Sequence, residues 1–192
     1  MSDKKMELPT AEQLSAEFER LKYKSSFRKI LWNTISSIIV AVSIAALIST
    51  MFVPVLRVTG TSMTPTLQND ELILCLKNSD FSHGDIVAFY YNNKLLLKRV
   101  IGVAGDVVSV GEDGTVSLNG EVIDEPYINE KSLGECDMKF PYQVPEGRIF
   151  VMGDHRAVSI DSRSSAVGCI SEEYVVGKAV LRVYPIDNFG LI

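Results

Sequence analysis

Three short stretches of the 192-residue chain combine reactive side chains with glycine. They are Gly60-Thr61-Ser62-Met63-Thr64-Pro65-Thr66-Leu67, then Lys98-Arg99-Val100-Ile101-Gly102 with Gly105-Asp106, then Gly153-Asp154-His155-Arg156 with Ser159, Asp161, Ser162 and Arg163. A serine hydroxyl becomes a useful nucleophile only when a neighbouring base takes its proton. Gly60 lets the backbone bend ahead of Ser62 and Pro65 fixes a φ angle after it, so the hydroxyl can sit on a rigid turn beside main-chain N–H groups. Serines in such surroundings are also common as plain turn residues. The candidate base is Lys98, which lies inside the apolar run Leu95-Leu96-Leu97-Lys98-Arg99-Val100-Ile101. In a strand, alternation places its side chain on the face of Leu96 and Val100. Desolvation there would lower the lysine pKa from about 10.4 toward the range where a neutral amine accepts a serine proton. The competing reading is an edge-strand lysine that blocks aggregation and snorkels to water.

The third stretch suits scaffolding. Asp154 and Asp161 can pair with arginines, and the Ser159 hydroxyl can orient another donor; the alternative is a polar surface loop. His155 beside Asp154 raises a histidine triad, but sequence neighbours seldom point at one another, which favours the Ser62/Lys98 dyad. There is no His-Glu-x-x-His and no paired-carboxylate pattern for a metalloprotease. Cys75, Cys136 and Cys169 are scattered and odd in number, without the spacing of a metal site. They read as small buried hydrophobes or free thiols, with at most one disulfide outside the cell. No metal or cofactor is expected. A net charge of -5, from 19 Lys+Arg against 24 Asp+Glu, leaves nucleic acid no basic footprint to grip.

The elements that must position these residues follow from the rest of the chain. Ile30 to Leu56 carries no charge, and Ile35 to Val53 is dominated by Ile, Val, Ala and Leu, enough for a core that needs about 20 residues. The run is too long for a cleaved signal peptide and follows a long mixed-charge segment. Lys22, Lys24, Arg28 and Lys29 crowd one flank while Arg57 stands alone on the other, which keeps the N-terminus cytoplasmic. The expected division is a cytoplasmic segment 1–29, a transmembrane helix 30–53 and an extracytoplasmic domain 54–192. Thr10 with Gln13 reads as a capping box, and Leu14, Phe18 and Leu21 share a helical face, predicting a short helix before the span. After the span, β-branched and aromatic runs at Glu71–Leu76, Ile86–Tyr91, Leu95–Val103, Val107–Val110, Thr115–Leu118, Arg148–Met152 and Tyr174–Tyr184 predict a mainly antiparallel β domain. Asn119-Gly120 predicts a type I′ hairpin turn. Residues 124–145, with Pro126, Pro141 and Pro145, read as a long surface connection.

Behind a single N-terminal span, the three stretches in this order resemble bacterial type I signal peptidase (leader peptidase), in its compact Gram-positive-like form. Ser62–Leu67 resembles the nucleophile motif of that family, Lys98–Gly102 with Gly105-Asp106 its general-base motif, Gly153–Arg163 its third motif, and Gly84-Asp85-Ile86-Val87 its remaining box. A lysine at 98, where relatives of the endoplasmic reticulum carry histidine, matches the bacterial branch. The resemblance implies Ser62 as nucleophile, Lys98 as general base and Ser159 as the hydroxyl that orients the amine. It implies structural ion pairs of Arg99 with Asp154 and of Asp161 with Arg163, and small-residue pockets at Val58, Met63, Leu67, Leu96 and Leu97. His155 departs from the usual asparagine, and Gly60 stands where some members use a serine at the oxyanion hole. The implied partners are preproteins carrying signal peptides and membrane lipid, and the implied place is the plasma membrane. Two rival functions remain: a tethered β domain that binds exported chains without cutting, and a dedicated self-processing Ser/Lys peptidase.

Overall fold

A computed structural model of the chain describes residues 10–77 and 80–192. The first element is α1, Ala11–Phe52, a single helix of 42 residues. Its start is the expected capping box: Gln13 Oε1 accepts from the Thr10 N–H at 3.0 Å, and Thr10 Oγ1 accepts from the Gln13 N–H at 3.4 Å. A separate short helix before the span was expected. Instead α1 runs unbroken, because Ala11–Phe52 contains neither Gly nor Pro to stop it. Pro54 restricts Val53 and closes it. The stretch Ala11–Leu47 is long and apolar enough to cross a membrane, and the uncharged part is its second half. The side chain of Leu21 lies outside the described residues. The chain divides into two compact units, Met1–Ser49 and Thr50–Ile192.

The second unit is built from antiparallel strands. These are β1 (Val55–Arg57), β2 (Leu72–Leu76), β3 (Ile86–Tyr91), β4 (Lys94–Gly102), β5 (Val107–Val110), β6 (Val116–Leu118), β7 (Glu121–Val122), β8 (Tyr142–Gln143), β9 (Arg148–Met152), β10 (Ile170–Ser171), β11 (Val175–Tyr184) and β12 (Gly190–Leu191). Among the described residues they form one sheet in the order β1-β2-β11-β3-β4-β9-β10, with β12 beside β11, and a second in the order β7-β6-β5-β8. Asn119 and Gly120 take φ of 53° and 88° between β6 and β7, the two positive angles a type I′ turn requires. Asn92 and Asn93 take φ of 48° and 60° between β3 and β4, a turn whose asparagines accept the left-handed region without glycine. Within residues 124–145 only β8 is regular.

Strand β4 is the spine of the site. It pairs with β3 along Ile86↔Arg99 to Tyr91↔Lys94 and with β9 at Arg99↔Met152 and Val100↔Val151. Leu95 and Leu97 pack on a core cluster of Val58, Met63, Leu67, Ile73, Cys75 and Ile86, while Leu96 and Val100 join Val87, Phe89, Ile149 and Val151 in another. Two packed faces leave β4 little room to shift register.

Candidate active site

Residues 60–67 form a turn whose main chain is tied down at several points. Gly60, at φ 88°, donates its N–H to Asn69 Oδ1 at 2.8 Å. Thr64 Oγ1 donates to the Thr61 carbonyl at 2.8 Å, and the Leu67 N–H donates to the Met63 carbonyl at 2.9 Å. Met63 and Leu67 anchor the turn in the core, at 2% and 0% exposure. The Ser62 carbonyl accepts from the His155 N–H at 3.1 Å. The Ser62 N–H meets no acceptor among the described residues, so it is available to a developing oxyanion.

Lys98 comes to this serine from β4. It is buried at 3% exposure, and its Nζ donates to Ser62 Oγ at 2.7 Å. Thirty-six residues of chain separate the two. Burial lowers the lysine pKa; Asp161 and then Asp154 oppose this, and Arg163 adds to it. Neither aspartate is free to hold the lysine proton. Arg163 Nε binds Asp161 at 2.8 Å with both side chains fully buried, and Arg99 Nε and Nη2 clasp the Asp154 carboxylate at 2.8 and 2.6 Å. The two expected ion pairs are therefore present in the geometry.

Asp154 also accepts from Thr66 Oγ1 at 2.5 Å, so its carboxylate turns toward Arg99 and Thr66 rather than His155. His155 Nδ1 lies 3.0 Å from Thr64 Oγ1 and 3.3 Å from the Thr61 carbonyl, and Ser62 Oγ is held by Lys98. No Ser–His–Asp chain exists in this arrangement.

Ser159 is buried at 1% exposure, and its Oγ has no hydrogen-bond partner. Its position is set by Gly153, which donates to Asp161 Oδ2 at 2.9 Å. A Cβ on Gly153 would lie 2.2 Å from Ser159 Oγ and 2.5 Å from the Ser62 carbonyl, so only glycine lets this loop close on the serine turn.

Beside Ser62 lies an open cavity of about 360 Å³. Val58, Met63, Leu96 and Leu97 line it with Leu56 and Leu95. Leu67, the fifth expected pocket residue, does not: it is fully buried in the core beneath, where no ligand reaches it.

The signal peptidase (peptidase S26) family profile matches residues 31–184. A signal peptidase I of Bacillus licheniformis is 36% identical over 171 residues, covering 82% of this chain and 91% of its own. A signal peptidase IB of Staphylococcus aureus is 36% identical over 183 residues, covering 84% of this chain and 94% of its own. The chain belongs to the signal peptidase family, peptidase S26. Among solved structures, a signal peptidase I from Enterococcus faecalis aligns with a TM-score of 0.45 at 30% identity, over 52% of this chain and 97% of that one.

This S26 peptidase also contains a buried network that the sequence reading missed. Arg156 and Glu125 form a second clasp, with Nη1 donating to Oε2 at 2.9 Å and Nη2 to Oε1, and both side chains are essentially inaccessible. Tyr127 donates its hydroxyl to Glu125 at 2.8 Å and lays its ring 3.9 Å from the Arg99 guanidinium. Its hydroxyl pKa is raised, chiefly by burial. The connection 124–145 thus braces β4 and the loop after β9. The signal was faint: an aromatic and an acid in a proline-rich tract look like surface until their partners are known. Cys75 and Cys169 are buried, free thiols pushed up to about 11 by burial, and Cys136 is free and half-buried.

Proposed function

We propose that this chain removes signal peptides from exported preproteins as a serine endopeptidase, with Ser62 as nucleophile and Lys98 as general base. The observation that carries the reading is the 2.7 Å contact between Lys98 Nζ and Ser62 Oγ inside a buried setting that disfavours the ammonium form. Once neutral, the amine takes the Ser62 proton as Oγ bonds to the scissile carbonyl carbon. The Ser62 N–H steadies the oxyanion. Collapse breaks the C–N bond, the lysine proton passes to the departing amine, and an acyl-enzyme remains. Water, deprotonated by the same lysine, then releases the acid. Ser159 Oγ, buried and without any hydrogen-bond partner, is assigned on this reading to steering the amine during the reaction.

The apolar cavity at Ser62 suits the residues before the cut. Its walls of Val58, Met63, Leu96 and Leu97 favour small apolar side chains. Helix α1 serves as a single-pass plasma-membrane anchor with a cytoplasmic N-terminus, leaving the β domain extracytoplasmic. The division 1–29, 30–53 and 54–192 is retained on this reading. Exposed Phe52, Val55 and Leu191 offer apolar surface to lipid. The test is purified protein in detergent with a preprotein, followed by N-terminal sequencing of the product. Cleavage at one site is expected, and Ser62→Ala should abolish it while the domain stays folded. Substantial turnover by Ser62→Ala would refute the assignment.

A further inference from the structure

A second cavity, of about 220 Å³, lies beyond the serine turn and is lined by Thr64, Asn129, Glu130, Asp154, His155 and Arg156 among others. It shares no lining residue with the apolar cavity. The wall between them is the nucleophile turn: Ser62 and Met63 face the apolar side, Thr64 the polar side, and His155 reaches across to the Ser62 carbonyl. With the acyl half of a peptide over the apolar cavity, the opposite side of the turn, where Thr64 and this second cavity lie, is open to the leaving half.

The charges of the polar cavity are unevenly spent. Asp154 is claimed by Arg99, and Arg156 by Glu125. Glu130 is exposed and makes no ion pair or side-chain hydrogen bond among the described residues. Thr64 Oγ1 donates to the Thr61 carbonyl at 2.8 Å and lies 3.0 Å from His155 Nδ1, and the other ring nitrogen, Nε2, has no partner among the described residues. Among the arginine and carboxylate side chains that line the cavity, Glu130 alone is left without an opposite charge among the described residues.

We propose that this cavity is the subsite for the first two residues after the cleaved bond, and that its unpaired Glu130 carboxylate selects cationic side chains there over acidic ones. The inference rests on Ser62 and Lys98 being the reacting pair. It is tested with two peptides identical up to the bond, one carrying Lys-Lys and the other Glu-Glu immediately after it. The readout is the ratio of their kcat/KM values within each enzyme preparation, which is independent of the active fraction. Wild type should prefer the lysine peptide by roughly three- to fivefold, the size of one exposed ion pair, and the preference should shrink as salt is added. Glu130→Lys should reverse the order, and Glu130→Gln should bring the ratio close to one. Equal cleavage by wild type, or an unchanged ratio in Glu130→Lys, overturns the subsite. If neither peptide is cut by folded wild type, the Ser62/Lys98 reading fails instead, and the subsite falls with it.

Discussion

Replacing Lys98 by methionine separates a buried neutral base from a structural cation. Methionine keeps the apolar stem and deletes the amine, so packing beside Ser62 changes little while the 2.7 Å contact is lost. With an ordinary pKa of 10.5, only about one lysine in three thousand would be neutral at pH 7, so catalysis depends on the lowering that burial imposes. Deleting a general base from a nucleophile pair removes about 10⁴-fold or more of the rate. Stability should move the other way. The Lys98–Ser62 hydrogen bond is worth about 1 kcal/mol, whereas an ammonium buried without a free counter-ion costs more than that. Because the folded pKa lies below the unfolded one, this penalty is fully present below the folded pKa, where both states are charged. It fades as pH rises toward 10.5. Lys98→Met should therefore melt at or above the wild-type temperature at neutral pH, with the gap closing in alkali. Calorimetry across pH and turnover of a preprotein are the two assays. Loss of a true buried ion pair would instead cost about 3–5 kcal/mol, or about 10 °C or more in a domain of this size. A drop of that kind, or retained turnover, would refute the reasoning.

Three further outcomes are expected. His155→Asn should lose less than about tenfold in kcat/KM, because a triad base would cost about 10⁴-fold or more; kinetics of that single variant decide it. Gly153→Ala should lower activity steeply and cost about 1–3 kcal/mol, since its Cβ would meet Ser159 Oγ at 2.2 Å, as read by turnover and by urea unfolding. Glu125→Ala should destabilise by about 3–5 kcal/mol, because it leaves the Arg156 guanidinium buried and unpaired, while the double change with Arg156→Leu should recover most of the loss in the same unfolding assay.

Strands with several residues of period-two patterning are legible in the sequence. Seven of the twelve strands among the described residues begin or end within two residues of the runs that composition predicts. Strands β1, β8 and β10 are not legible, because two or three residues show no period and exist through the neighbour they pair with. Lys98 stands out because a charge inside an apolar run is locally unusual, whereas Ser62, in surroundings common to turn serines, gains its weight from that partner and from the resemblance of the motifs. Glu125, Tyr127 and Arg156 carry no such local mark. Their importance arises from partners about 30 residues away, which sequence spacing alone does not reveal. The separate short helix expected before the span merges into α1, because a change in charge does not end a helix where no helix breaker stands.

The buried arginine clasps of the β domain also constrain how this sequence can diverge. A centre whose carboxylates are each matched to one guanidinium cannot lose a single member cheaply, yet it can lose both together when apolar side chains fill the space. Positions 99 with 154, 161 with 163, and 125 with 156 should therefore be inherited as couples, each pair changing jointly or not at all. On the proposed mechanism Ser62 and Lys98 are bound by reaction chemistry, but these six positions are bound by electroneutrality. Descendants of this chain would record that second constraint as covariation rather than invariance.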